Sequence, residues 1–230
     1  MNTTELIALT LLGLLMYLWL RRQRRSRRER FIRDYPFHPA IARKLDDRYP
    51  QLNEQQKSMI FDALRDYFLF CHRAKRRMVA MPSQVVDVAW HEFILFTREY
   101  ERFCRQALGR FLHHTPTEAM HTPTRAQQGI KRAWRLACAH ERIDPKTPTR
   151  LPLLFAIDDL LDIENGFRYS LNCRDRTLPN SAAGYCAGHI GCASGCGGDS
   201  GSASGGGGWF DGFGGDGGGS SCGGSGCGGD

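Results

Sequence analysis

The sequence predicts an all-α protein: a single N-terminal transmembrane helix, an irregular bundle of four or five helices, and a disordered glycine-rich tail. Three observations carry this reading. Residues 6–20 are uncharged and apolar on every face. Residues 36–180 repeat their apolar positions at helical spacing, with no sustained alternation of apolar and polar residues. Residues 184–230 hold 22 Gly in 47 positions, too little apolar surface to offset the entropy of ordering a chain. The chain divides into an anchor (1–20), an Arg-rich juxtamembrane segment (21–35), a helical domain (36–180) and a Gly/Cys/Ser-rich tail (181–230).

The anchor comes first. Leu6 to Leu20 covers about 22 Å as a helix, against a hydrocarbon core of roughly 30 Å, and Thr3, Thr4 and the snorkelling stems of Arg21 and Arg22 make up the difference. Apolar residues all round exclude a helix lying in the interface plane. A cleaved signal peptide has positive charge before its apolar run, whereas this chain has Glu5 before and five residues rich in Arg after. The segment is therefore expected to stay, with the bilayer as its partner. Because Lys and Arg are retained on the cytoplasmic side, the expected place is the cell inner membrane, N-terminus outside and C-terminal domain cytoplasmic, with Tyr17 and Trp19 at the inner interface.

Position, rather than a basic domain, explains the net charge of +7. Residues 21–33 hold eight Arg against Glu29, while residues 34–176 carry 23 basic and 18 acidic side chains without a dominant cluster. No nucleic-acid partner is expected from that distribution. Of the nine Cys, five lie in the tail and four are scattered through helical patterns; on the cytoplasmic side they are expected as thiols or thiolate ligands.

Within the domain a first short helix runs from about His38 to Tyr49 and ends at Pro50. A second begins at Asn53 as N-cap and puts Ile60, Leu64, Tyr67, Phe68 and Cys71 on one stripe, with Arg73, Lys75, Arg76 and Arg77 at its negative end. The third and longest spans Ser83 to about Leu108. It stacks Val86, Ala89, Trp90, Phe93, Thr97, Tyr100 and Cys104, and Gly109 ends it. The fourth opens with Thr122 as cap and Pro123 at the first helical position, burying Ile130, Ala133, Trp134 and Ala137. The fifth, Leu151 to Glu164, turns Leu154, Ile157 and Leu161 inward and closes at Asn165-Gly166.

The densest chemistry lies between Pro82 and Pro116. Asp87 and His91 are four apart and share a helix face, and the loop after Gly109 can return His113 or His114 beside them. One carboxylate and two neutral imidazoles, Asp87, His91 and His114, suit a divalent metal such as zinc with a position left open. The same residues also make an ordinary charge-assisted pair and a solvated loop, and spacing alone leaves both readings open. Trp90, Phe93, Tyr100 and Phe103 read as core and Cys104 as a packed thiol. The tail offers a second set, Cys186, His189, Cys192 and Cys196: four soft ligands within eleven residues that suit Zn²⁺, Cu(I) or an iron–sulfur centre, or else Cys as filler in a Gly/Ser repeat.

Asp87-x-x-Trp90-His91, Thr97-x-x-Tyr100, Cys104 and Gly109 through His114-x-Pro116, together with the Gly-rich tail, resemble the glycine-rich domain-containing protein family. The resemblance implies a helical domain and brings no activity with it. Where the plant pattern has a second His two residues after the first, this chain has Phe93.

A phosphate-binding glycine loop, a Ser-centred elbow and a helix with paired His around Glu are all missing from the sequence. The leading expectation is therefore a membrane-anchored binding or scaffold protein that takes a protein partner through its tail or helical domain. Beside it stand a metal-dependent enzyme using Asp87, His91 and His114, and a metal-binding protein using the tail thiols.

Overall fold

The computed structural model describes residues 2–114, 123–171, 185–186 and 190. These form seven helices: α1 (Thr3–Arg33), α2 (Pro39–Arg48), α3 (Glu54–Ala74), α4 (Gln84–Leu95), α5 (Thr97–Ala107), α6 (Pro123–Glu141) and α7 (Leu153–Leu160). Two strands of two residues each, β1 (Tyr169–Ser170) and β2 (Tyr185–Cys186), pair in parallel. The protein is all-α, as its sequence periodicity predicts.

α1 is unbroken for 31 residues. It is long and apolar enough to cross a membrane, and none of its apolar window is buried against the rest of the protein. Its C-terminal part is different. Ile32 is fully buried, and Tyr35, just beyond the helix, joins an aromatic cluster with Phe31, Phe37, Phe93 and Phe103. Glu29 pairs with Arg73 of α3 at 3.1 Å, and Arg28 donates to the Leu108 carbonyl at the end of α5 at 3.3 Å. Beyond the helix, Arg65 donates through Nε and Nη2 to the Tyr35 carbonyl. The arginines that follow the apolar segment thus ride on a helix that is itself part of the domain.

α3 is the hub, packing against α1, α4, α6 and α7. Its start is fixed locally. The Asn53 side chain accepts from the Gln56 amide and the Gln56 side chain from the Asn53 amide, a reciprocal cap worth about 1 kcal/mol. The stripe Ile60, Leu64, Tyr67, Phe68 and Cys71 is buried as expected, and Leu69 and Phe70 are buried with it. α2 begins at Pro39, with the His38 ring accepting from the Ala40 amide.

The expected third helix is two helices. The chain leaves helical geometry at Phe96 (φ −79°, ψ 60°), so that α4 and α5 bend back on each other. Phe93 and Phe103 would lie about 15 Å apart along a straight helix, yet their ring centroids are 5.3 Å apart. Burying both aromatic faces against Tyr35 outweighs one lost turn of backbone hydrogen bonding. Among the described residues the domain after α1 accordingly has six helices, against the four or five expected. The Thr122 cap lies outside the described residues; α6 does start at Pro123. α7 buries Leu154 and Ile157, Leu161 follows at its end, and Asn165 turns the chain with φ 60°. Ile190 packs into the core beyond β2.

One buried carboxylate joins the two ends of this arrangement. Asp158 of α7 is 2% exposed. It accepts from Ser83 Oγ and the Gln84 amide, both at 2.7 Å, from the Val85 amide at 3.2 Å and from the Phe167 amide at 2.9 Å. Three of these donors are the N-terminus of α4, whose orphan amides and positive dipole end favour an anion. Burial pushes the Asp158 carboxyl above the usual carboxylate range, while the four donors pull it back. Asp158→Asn keeps the volume and puts an amide donor among donors, so we expect a loss of about 2 kcal/mol or more, a fall in Tm of roughly 5 °C, checked by thermal unfolding.

Candidate metal centre

Asp87 lies in the first turn of α4 and His91 one turn further on, so both project from the same face. His91 Nδ1 is 3.3 Å from Asp87 Oδ2. The third member arrives from the loop after α5. Gly109 ends that helix at φ 71°, its amide bonding back to Cys104 and Arg105, and a Cβ there would meet the Arg28 guanidinium at 2.6 Å. Glycine is favoured here by the left-handed turn, whereas the Arg28 guanidinium, the end of a flexible side chain, could shift to admit a Cβ.

From Gly109 the loop returns along α4. Tyr100 Oη donates to the Leu112 carbonyl at 2.5 Å and accepts from Trp90 Nε1 at 3.2 Å, a buried chain that ties the loop to both helices. Two residues later His114 Nε2 lies 3.1 Å from Asp87 Oδ1. Its ring is edge-on to Trp90 (centroids 4.6 Å) and tilted against His91 (4.1 Å). Of the two loop histidines, His114 reaches the site; the His113 ring lies against Phe111 instead.

The ligand atoms of Asp87, His91 and His114 all lie within 4.8 Å of one another, and this is the cluster of metal-ligating type found among the described residues. Asp87 and His114 side chains are 13% exposed and His91 is 49% exposed, so the group is held from within and open on the His91 side. Donors about 2.0–2.2 Å from a tetrahedral zinc lie roughly 3.3 Å from each other; here each imidazole nitrogen reaches a different oxygen of Asp87, His91 at Oδ2 and His114 at Oδ1, so small side-chain rotations would bring all three donors onto one ion. A ring nitrogen carrying a proton makes a hydrogen bond to Asp87 over the same distance, so proton and cation compete for these positions. His114 and Trp90 also border a cleft of about 220 Å³ whose wall includes Arg76, Arg77 and Arg110, with Asp87 and His91 outside it.

The tail set is not described in the same way. Cys186 contributes its backbone to β2, and His189, Cys192 and Cys196 lie outside the described residues. Cys71, Cys104 and Cys138 are buried free thiols; burial pushes Cys71 up to about 12 and Cys138 up to about 11, which makes them poor ligands and poor nucleophiles at neutral pH.

The fold and site define a helical domain built onto a long apolar N-terminal helix and carrying an Asp-His-His cluster at its surface. Residues 27–190 match the model of the UCP032817-like family, and the chain belongs to that family. Comparison with curated proteins and with solved structures gives no match.

Sequence reasoning missed two roles essential to this geometry: Asp158 is an acid on an otherwise ordinary helix, and Tyr100 reads as a core aromatic, with nothing to mark the buried hydrogen bonds of its hydroxyl. We expect Tyr100→Phe to leave the helices intact while freeing the loop. Hydrogen exchange at the 112–114 amides should speed by about tenfold, and Tm should fall by a few degrees, since both Trp90 Nε1 and the Leu112 carbonyl lose a buried partner.

Proposed function

We propose that this protein is a single-pass membrane-anchored binding protein whose domain holds a divalent metal such as zinc on Asp87, His91 and His114. The observation that carries the reading is the convergence of these three side chains from two parts of the chain, α4 and the loop after Gly109. Either histidine alone would be an ordinary partner for Asp87. Both together surround one carboxylate with two imidazole nitrogens, a donor set of the kind zinc takes, and three protein ligands leave one position for water or another ligand. A bound zinc ion would act as a Lewis acid at that open position. The carboxylate supplies charge, the Trp90 ring fixes the orientation of His114, and exposure of His91 supplies the entry path.

Anchoring through α1 fits the same reading. The exposed apolar side chains from Leu6 to Leu20 need a nonaqueous surrounding, and the Arg run beyond them favours a cytoplasmic domain at the inner membrane. The helix continues without a break into the core at Ile32, which favours retention over cleavage. The likeness of residues 87–116 to glycine-rich domain-containing proteins fits a domain of this kind.

The full chain, extracted in detergent under reducing conditions without chelators, should carry about one zinc per chain by elemental analysis, and Asp87→Asn or His91→Ala should lose it. Loss with Cys186→Ser/Cys192→Ser/Cys196→Ser alone would move the metal to the tail thiols, and no stoichiometric metal in any form would refute the centre. Fractionation of cells should leave the chain in the membrane after alkaline washing, with the domain protected from protease added outside; recovery in the soluble fraction would refute the anchor.

A further inference from the structure

A groove of about 1130 Å³ lies where α1 leaves its apolar segment. Tyr17, Leu18 and Leu20 form its apolar end. Beyond them its wall is cationic: Arg21, Arg24 and Arg28 from α1 face Arg73 and Arg76 near the end of α3 and Arg110 after α5. Glu29 is the acidic residue in the wall, and it is already engaged by Arg25, Arg33 and Arg73. Among the described residues Arg21, Arg24 and Arg76 make no ion pair. Nε of Arg73 is buried without an acceptor. Concentrated positive charge in a concave wall, incompletely neutralised by the protein, calls for anions.

We propose that this groove seats the phosphate headgroups of anionic phospholipids, a reading that rests on α1 spanning a membrane. Depth selects the lipid as the source of the phosphate. Along α1, Leu20 and Arg28 are about 12 Å apart, and a headgroup layer is some 5–8 Å thick, so the cationic wall begins at the level of the headgroups and rises just past them. The apolar end at Tyr17, Leu18 and Leu20 continues the same groove into acyl-chain depth, a surface that free phosphate would not use. The guanidinium fork matches phosphate oxygens two at a time. Arg76 and Arg110 line both this groove and the cleft beside His114, so a bound headgroup adjoins the candidate metal centre.

The test is native mass spectrometry of the full chain released from nanodiscs of phosphatidylcholine with an equal share of phosphatidylglycerol. Phosphatidylglycerol should be retained in clear excess. Arg24→Gln/Arg76→Gln, which touches no internal ion pair, should cut that excess by roughly thirtyfold, while Arg98→Gln/Arg135→Gln, the same charge removed from exposed positions outside the groove, should leave it unchanged. Equal retention of the two lipids, an equal fall in both variants, or displacement of the lipid by millimolar inorganic phosphate would overturn the proposal. A chain that never enters the nanodisc would instead fail the anchor on which it rests.

Discussion

The Asp158 carboxylate, buried against the N-terminus of α4, is the interaction on which the site depends. An ionised group in that position would be costly alone; here it meets three donors from α4 and one from the chain beyond α7. Ser83, itself the cap of α4 through the Val86 amide, takes part in both contacts. The consequence is positional. Asp87 is four residues from Ser83, so the same clamp that joins α7 to α4 sets the height and rotation of the carboxylate and of His91 after it.

The other half of the site depends on α1. The loop that delivers His114 is pinned at its start by Gly109, which lies under the Arg28 guanidinium, and near its end by Tyr100. α1 therefore does more than pass the chain out of the domain. Its C-terminal turns supply Ile32 and Phe31 to the core, and its Arg28 closes α5. A helix continuous from apolar segment to core fixes the orientation of the domain relative to α1, where a flexible linker would leave it free.

Much of this was legible in the sequence, for identifiable reasons. The apolar stripe of α3 and the Asn53 cap are local patterns, set by helical geometry within a few residues, and both are present. Asp87 and His91 are legible as a pair because four-residue spacing suffices to place them. What escaped involves contacts across distance in the chain. The break at Phe96 has neither Gly nor Pro to mark it; it follows from Phe93 and Phe103 both packing on Tyr35, some sixty residues earlier. Asp158 has no local mark in the sequence because three of its four donors are 73 to 75 residues away. The choice of His114 over His113 depends on the loop path, which Tyr100 sets from within the core.

The convergence of Asp87, His91 and His114 into one cation site is tested most directly by titrating the full chain in detergent with Co²⁺ and following its visible d–d absorption, whose strength reports coordination number. The account predicts a four-coordinate spectrum saturating at about one Co²⁺ per chain, displaced by zinc and lost in His114→Ala. A featureless titration, or the same spectrum persisting in His114→Ala, would contradict it.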